Sequence, residues 1–204
     1  MTVDNTPVVG RFAPTPSGFL HLGNVFCSLL AWLYAKSSGG KIVLRIEDLD
    51  PQRCSLAKAD ALARELEWLG LTWDEGAYCS ADSDSFFQSR RCDIYAHCFD
   101  LLQQQGLVYP CFCSRSQLHA ASAPHTSDGN VVYPGTCRGL TAEEIAEKRK
   151  KKAPAYRLMV PDENITFTDG CMGEHTENLL RDCGDFYLRR ADGVFACLLY
   201  TSDA

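Results

Sequence analysis

The amino-acid sequence predicts an α/β fold with a parallel sheet, and three observations near its start carry the prediction. A short β-type run at residues 7–11 precedes an apolar-periodic helix at 25–36, and a compact apolar strand follows at 41–46. Gly39 and Gly40 end the helix just before that second strand. A helical crossover of this kind joins parallel strands, because antiparallel neighbours need only a short turn. Two parallel strands therefore open the chain.

Length and composition are those of a folded domain. The chain has 204 residues, of which 46% are apolar and 23% are charged, enough for the core of one large domain or of a domain that carries an insert. A net charge of −6 and an isoelectric point near 5.3 argue against nucleic-acid binding through bulk electrostatics. Any contact with nucleic acid is therefore expected on a local basic face.

The first residues and the cysteines indicate a reducing compartment. The start of the chain lacks the basic and apolar segments of an export signal, and no run approaches ~18 consecutive apolar residues, so we expect a cytoplasmic protein that does not bind membranes. Eleven cysteines, an odd count, then fit reduced thiols, some of which ligate metal.

The connection between the first strand and its helix has the features of a ligand-binding loop. Two prolines stiffen it, Gly18 permits close approach of the backbone, and His21 and Gly23 stand at the start of the helix. Free N–H groups and the helix dipole favour an anion at that point. The loop therefore predicts a phosphate or adenine site, although a few glycines and one histidine alone are more typical of an ordinary turn.

The second strand ends in carboxylates. Glu47, Asp48 and Asp50 follow it, at the edge of a parallel sheet where ligands bind. For Asp48 and Asp50 we favour a loop that caps the next helix. For Glu47 we favour a functional role, with the fork-shaped guanidinium of Arg11 as its counterpart on the neighbouring strand.

Two blocks of the sequence resemble the class I glutamyl-tRNA synthetases. Residues 14–23, Pro-Thr-Pro-Ser-Gly-Phe-Leu-His-Leu-Gly, are similar to the signature whose His-Ile-Gly-His box holds ATP in that family, with Asn24 in place of the last histidine. Residues 45–50, Arg-Ile-Glu-Asp-Leu-Asp, resemble the second recurrent block, whose glutamate takes the α-ammonium of the substrate. The resemblance implies a Rossmann-like nucleotide-binding fold.

The same resemblance implies the roles of individual residues. Glutamate would be bound by Arg11, Phe12, Ala13, Pro14, Thr15 and Glu47. ATP, with Mg²⁺, would be bound by Thr15, His21, Gly23 and Asn24, with His21 and Gly23 in the catalytic positions.

A second group of residues has the chemistry of a metal site. Cys111 and Cys113 lie close together, Cys137 follows across a loop, and tetrahedral Zn²⁺ needs one ligand more. The candidates for the fourth position are Tyr133, His119 and His125. Generic metal chemistry favours a histidine, and three unligated thiols remain the alternative.

The resemblance names a different fourth ligand. Paralogues of the glutamyl-tRNA synthetases that lack an anticodon-binding domain hold a structural zinc with the pattern Cys-x-Cys…Tyr-x-x-x-Cys-Arg, which implies the ligands Cys111, Cys113, Tyr133 and Cys137. The loop between Cys113 and Tyr133 is longer than is usual in that group, so both histidines stay open.

The remaining elements follow from periodicity and end signals. We expect helices at 55–70, at 85–106 and from Thr141 onward, and strands at 155–160 and 165–168. Trp68 and Trp73 are expected in the core. The basic run 148–152 is interpreted as a solvated helix end.

The resemblance also implies an order of domains. Residues 1–106 would form the first half of the catalytic domain, 107–184 a small α+β insert with zinc, and 185–196 the return to the catalytic domain. Residues 197–204 depart from the family pattern, and we interpret them as a non-native tail on a chain truncated at its C-terminus, which we expect to be inactive on its own.

The implied activity is ATP-dependent activation of glutamate. The glutamyl group would pass from glutamyl-adenylate to the queuosine base of tRNA(Asp), and the protein is expected to be a monomer. One alternative is a fragment of an ordinary glutamyl-tRNA synthetase, which charges the tRNA 3′ end. Another is a non-catalytic stub that binds nucleotide or zinc.

Overall fold

The computed structural model describes residues 7–79, 81–114, 116–117 and 132–196. Backbone contacts divide the chain into two compact units, residues 1–94 and 95–204. The predicted division at residues 106, 184 and 196 stays a prediction. His119, His125 and the predicted tail 197–204 lie outside the described residues.

The first unit is built on a parallel sheet in the strand order β1-β2-β3. Its strands are β1 (Val9–Phe12), β2 (Lys41–Leu44) and β3 (Glu75–Gly76). Helix α1 (Leu22–Ser37) joins β1 to β2, and helix α2 (Leu56–Trp68) joins β2 to β3. The predicted strand–helix–strand unit is thus confirmed.

Alternation of side chains gives the sheet one apolar and one polar face. Ile42, Leu44 and Ile46 are fully buried in a core that also contains residues of both helices. Side chains of a strand alternate between faces, so Arg45 and Glu47 lie on the opposite side. The helices cover one face and leave the charged residues on the other.

Helix α2 follows its predicted limits. The Ser55 hydroxyl caps it by accepting a hydrogen bond from the Lys58 N–H at 3.4 Å, and Gly70 ends it with φ +75°. The prediction for Trp68 is wrong, because this side chain is 85% exposed, off the buried stripe of the helix. Trp73 packs against the core as predicted, and its indole N–H donates to the Ala77 carbonyl at 2.9 Å.

The helix predicted at 85–106 begins later in the structure. Two 3₁₀ segments, Ala81–Phe86 and Gln88–Arg91, precede helix α3 (Cys92–Gln104). Phe87 is extended and pairs with Ile46, with the Ile46 N–H donating to the Phe86 carbonyl at 2.9 Å. The extension of the sheet therefore overrides helical periodicity here.

The second unit contains two antiparallel sheets. One has the strand order β4-β5-β8, and the other is a hairpin of β6 and β7. The strands are β4 (Val108–Cys111), β5 (Ala155–Leu158), β6 (Asn164–Asp169), β7 (Gly173–Asn178) and β8 (Phe186–Arg189). This unit also contains most of α3, together with helices α4 (Ala142–Lys151) and α5 (Leu179–Asp182).

The residues at the two ends of α4 explain why this segment is helical. The Thr141 hydroxyl accepts from the Glu144 N–H at 3.3 Å, and the Glu144 carboxylate accepts from the Thr141 N–H at 2.8 Å, which forms a capping box. Four basic residues occupy its last turn, as predicted.

No described helix combines the length and the apolar character needed to cross a membrane.

Candidate functional site

The loop between β1 and α1 is tied to the rest of the first unit at two points. The Glu47 N–H donates to the Pro14 carbonyl at 3.0 Å, and the Leu20 N–H donates to the Glu65 carboxylate at 3.1 Å. Pro16 is buried between these ties. The loop is therefore fixed to α2 and to the segment that follows β2.

A cavity of about 170 Å³ lies against this loop. Five of the residues predicted to bind glutamate or ATP line it, namely Arg11, Phe12, Ala13, Pro14 and Asn24. Leu20, Cys27 and Ser28 complete the wall. The strand end, the loop and the first two turns of α1 thus line one open hollow, and Thr15, His21, Gly23 and Glu47 are not part of its lining.

The predicted catalytic residues lie at the start of α1. His21 is the N-cap, extended at φ −81° and ψ 153°, and its carbonyl accepts from the Val25 N–H at 3.1 Å. A Cβ added to Gly23 would meet no atom within 4 Å, so packing within the described chain does not require glycine there. The first turn has no acidic residue to compete for an anion, and Thr15 is exposed.

Three charged side chains gather at the ends of β1 and β2. Arg11 pairs in register with Val43, so it lies on the same face as Arg45 and Glu47. Burial and the nearby charge of Arg45 lower the pKa of Arg11, while Glu47 opposes this shift. Arg45 Nη2 lies 3.3 Å from Glu47 Oε1, and both side chains are largely buried. An amino acid, which carries one carboxylate and one ammonium, matches these charges.

Sequence reasoning missed Arg45 and Gln88. The Arg45 Nε and both polar side-chain atoms of Gln88 are buried without a hydrogen-bond partner among the described residues. The pairing of Phe87 with Ile46 places Gln88 on the face of Glu47. Buried polar groups without partners are uncommon. This face of the sheet therefore carries polar atoms with which a ligand could form hydrogen bonds.

Asp48 and Asp50 form hydrogen bonds around the loop, but neither caps α2, whose N-cap is Ser55. The Asp48 carboxylate accepts from the N–H and the hydroxyl of Ser89 at 2.9 and 2.7 Å. The Asp50 carboxylate accepts from the Gln52 N–H at 3.2 Å.

The four residues predicted to hold zinc meet in the second unit. The sulfur atoms of Cys111, Cys113 and Cys137 lie within 4.8 Å of one another, and those of Cys113 and Cys137 are 3.7 Å apart. The Tyr133 Oη lies 3.5 Å from the Cys111 sulfur and 4.0 Å from that of Cys113. In tetrahedral Zn²⁺ sites, two sulfurs are about 3.8 Å apart, and sulfur and oxygen about 3.5 Å. The donor set fits the metal.

Backbone structure brings these residues together. Cys111 ends β4, and Tyr133 forms a parallel bridge with Gly184. Gly184 has φ +69°, and a Cβ there would lie 2.5 Å from the Tyr133 carbonyl oxygen, so only glycine fits. The Cys137 N–H donates to the Tyr133 oxygen at 2.9 Å, which directs the phenol into the cluster.

The surroundings shift the pKa of Cys111 in one direction and the pKa values of Cys113 and Tyr133 in the other. Burial and the neighbouring Cys111 raise the pKa of Cys113 to about 11, and burial with the Cys111 hydrogen bond raises the pKa of Tyr133. Burial alone would raise the pKa of Cys111, but its hydrogen bonds with Tyr133, the Cys113 N–H and Arg157 lower it below its ordinary value. Of Cys111, Cys113 and Tyr133, Cys111 is thus the one whose deprotonated form these surroundings favour.

Comparison with known proteins matches nearly the whole chain. The family model of class I tRNA synthetases (E and Q), catalytic domain, matches residues 7–194. The glutamyl-Q tRNA(Asp) synthetases of Nitratidesulfovibrio vulgaris and Symbiobacterium thermophilum are 47% and 49% identical over 189 residues, 92% and 91% of this chain. The chain spans 58% of the length of each of these relatives.

A solved structure shows the same fold. The crystal structure of a glutamate-tRNA synthetase from Elizabethkingia anophelis is similar to this chain with a TM-score of 0.74 and 30% identity. The similarity covers 95% of this chain and 41% of the solved one.

Proposed function

Because this chain belongs to the class I tRNA synthetases for glutamate and glutamine, and has their Rossmann-like catalytic domain with a parallel sheet, we propose that it activates glutamate with ATP. Glutamate and ATP would form glutamyl-adenylate and pyrophosphate, and the glutamyl group would pass to the queuosine base of tRNA(Asp). The observation that carries the proposal is the gathering of Arg11 and Glu47 on one face of the sheet, beside the loop and the start of α1.

The amino acid is assigned to the charged strand ends. Arg11 grips a carboxylate of glutamate with its planar fork, and Glu47 takes the α-ammonium. Phe12, Ala13, Pro14 and Thr15 form the wall beside it. Arg45 holds the Glu47 carboxylate from the other side, because the two form an ion pair at 3.3 Å.

ATP is assigned to the start of α1. The free N–H groups of the first turn face an anion, the His21 imidazole donates a hydrogen bond, and Gly23 leaves room for the nucleotide. Thr15 and Asn24 flank this position, and Mg²⁺ comes with the ATP. A carboxylate oxygen of glutamate attacks the α-phosphorus and pyrophosphate leaves. The contribution of these residues is positioning and electrostatic stabilisation.

The acceptor is proposed from the relatives. Two proteins with nearly half of their aligned residues identical to this chain are glutamyl-Q tRNA(Asp) synthetases. No contact among the described residues distinguishes one RNA from another, so the acceptor has to be tested directly.

Zinc is proposed as a structural ion in the second unit. Cys111, Cys113, Tyr133 and Cys137 supply four ligands with spacings that suit a tetrahedral ion. A site filled by four protein ligands has no position for substrate or reactive water. Its role is to fix the segment between β4 and the bridge at Gly184, where only a small core packs around the cluster.

Glutamate-dependent exchange of pyrophosphate into ATP tests the activation step. In the full-length gene product, Glu47→Gln is expected to lower kcat/KM for glutamate by about 10- to 100-fold, since a hydrogen bond to a charged group contributes about 1.5–3 kcal/mol. Glu75→Gln, which alters an exposed carboxylate paired with Lys41, is the control and is expected to keep the wild-type rate. Equal exchange by Glu47→Gln and the wild type would remove Glu47 from the site.

An ordinary glutamyl-tRNA synthetase is the second candidate. It is favoured by the likeness to the solved glutamate-tRNA synthetase at 30% identity. Both enzymes exchange pyrophosphate, so their RNA acceptors separate them. A protein that shows no exchange with glutamate and any tRNA would be the non-catalytic stub.

A further inference from the structure

One arginine of the second unit is buried against the cysteine–tyrosine cluster. Arg157 is 4% exposed, and its guanidinium carbon lies 3.6 Å from the centre of the Tyr133 ring. On the other side the same carbon lies 3.8 Å from the centre of the Tyr187 ring. The guanidinium is therefore held between two aromatic faces, one of which belongs to the predicted fourth ligand.

The polar atoms of Arg157 bind the cluster and its support. Its Nε donates to the Cys111 sulfur at 3.4 Å, and its Nη1 donates to the Asp185 backbone carbonyl. The Asp185 carboxylate is in turn fixed by the Tyr109 hydroxyl at 2.6 Å and by the Val160 N–H at 2.9 Å. The guanidinium is thus positioned by a hydrogen-bond network that extends beyond Cys111 to Asp185 and the partners of its carboxylate.

The backbone explains why Arg157 reaches this place. It lies in the central strand β5, where it pairs with Tyr109 of β4 and Tyr187 of β8. Cys111 ends the same strand β4. Arg157 is therefore tied to the cluster by the sheet itself.

The charge of Arg157 needs a partner. A buried cation is costly unless an anion is near, and no carboxylate among the described residues forms an ion pair with Arg157. Ring faces, a carbonyl and the Cys111 sulfur are its described neighbours. Three thiolates and a phenolate around Zn²⁺ would bring a net charge of about −2, since metal ligands bind deprotonated. One buried guanidinium offsets half of that excess.

We propose that Arg157 is a positioning residue of the metal centre, which clamps the Tyr133 ring with its oxygen toward the three sulfurs and offsets the charge of the ligands. A tyrosine oxygen thereby becomes a firm fourth ligand where a histidine is the commoner choice. This inference rests on the zinc site proposed above and assigns its second layer.

Zinc affinity, measured by competition with a chromophoric chelator, tests the assignment on the full-length protein. We expect Arg157→Met to weaken zinc binding by about 10- to 100-fold, the usual effect of removing a second-layer partner. Arg157→Lys keeps the positive charge but loses the planar group that stacks between the two rings. Its zinc affinity is expected to lie between those of Arg157→Met and the wild type. The control is Arg189→Met, which removes another arginine of this unit set over aromatic rings, at 5.5 Å from Phe195, and should leave the affinity unchanged.

A double-mutant cycle separates positioning from mere support of the fold. Because Arg157 acts partly through the Tyr133 ring and partly through its charge and its hydrogen bond to Cys111, Arg157→Met combined with Tyr133→Phe should weaken zinc binding by less than the product of the two single losses. If the two losses multiply, Arg157 acts independently of Tyr133 and the inference is wrong. If Arg157→Met does not fold, Tyr187→Leu, which opens the clamp without touching charge or ligands, takes its place and is expected to weaken binding in the same direction.

The outcomes distinguish the inference from the site on which it rests. A wild-type protein that binds no zinc contradicts both. In the other case, the wild type binds one zinc ion, and the Arg157→Met variant binds zinc equally tightly but unfolds at a lower temperature. That result would support the metal site and would show that Arg157 contributes only to packing.

Discussion

At the scale of single residues, the proposed glutamate site depends on three charged side chains that share one face of the sheet. Arg11 and Glu47 come from neighbouring strands, and Arg45 lies beside both. Among the described residues Glu47 forms an ion pair with Arg45, and no ion pair engages Arg11, which leaves its positive charge unmatched. Arg11 is the arginine that lines the cavity, so we assign the unmatched charge to substrate binding.

The shape of Arg11 should matter as well as its charge. We predict that Arg11→Lys lowers kcat/KM for glutamate in pyrophosphate exchange by about 10-fold or more, because an ammonium cannot grip a carboxylate with two parallel hydrogen bonds. Arg53→Lys, a change in the loop before α2, should keep the wild-type value. Unchanged kinetics in Arg11→Lys would mean that this guanidinium does not contact the substrate.

Single residues could be predicted where a short stretch of sequence carries the signal. They were missed where only the pairing of separate strands brings them to the site. Arg11, Glu47 and the four zinc candidates were named from the sequence. Their roles remain proposals, but the structure brings each group together. Arg45 could have been found, because it precedes Glu47 by two and so shares its face. Arg157 could not, since only the pairing of β4 with β5 brings it to Cys111.

At the scale of elements, one carboxylate ties the first strand–helix–strand unit together. The Asp74 side chain accepts from the Ile42 N–H of β2 at 2.8 Å and from the Lys36 ammonium of α1 at 2.7 Å. The hydrogen bond from Lys36 and then that from Ile42 lower the pKa of Asp74. The folded state therefore favours its charged form.

This tie should weaken in acid. A carboxyl whose pKa is lower in the folded state than in the unfolded chain stabilises the fold above the unfolded pKa of about 4, and that contribution disappears as pH falls through the folded value. We predict that Asp74→Asn lowers the unfolding temperature by about 2–4 °C at pH 7 and that the difference shrinks toward pH 3. The exposed Glu67→Gln on α2 is the control. A difference between Asp74→Asn and wild type that stays constant with pH would show that the carboxylate charge contributes nothing.

Elements were predictable where periodicity was strong. Both crossover helices and strands β1 and β2 were predicted to within a few residues. The start of α3 was not, because the extended Phe87 is set by its bridge to Ile46 and not by local preference. Strand β7 was missed as well, since Gly-Glu-His-Thr-Glu-Asn is almost entirely polar and becomes a strand only by pairing with β6.

At the scale of the whole molecule, the chain belongs to the class I tRNA synthetases for glutamate and glutamine. The match to the synthetase catalytic domain runs over residues 7–194 and so includes both compact units. The sequence identified this family through two short blocks of residues. The RNA acceptor is a property that neither those blocks nor the described contacts determine.

The most direct test of the central proposal is the transfer of radiolabelled glutamate by the full-length gene product to three RNAs with intact 3′ ends. These are tRNA(Asp) that carries queuosine, an unmodified tRNA(Asp) transcript, and an unmodified tRNA(Glu) transcript. The account predicts that only the queuosine-containing tRNA(Asp) becomes labelled. Label on the tRNA(Glu) transcript, with none on the queuosine-containing tRNA(Asp), would contradict it and identify an ordinary glutamyl-tRNA synthetase.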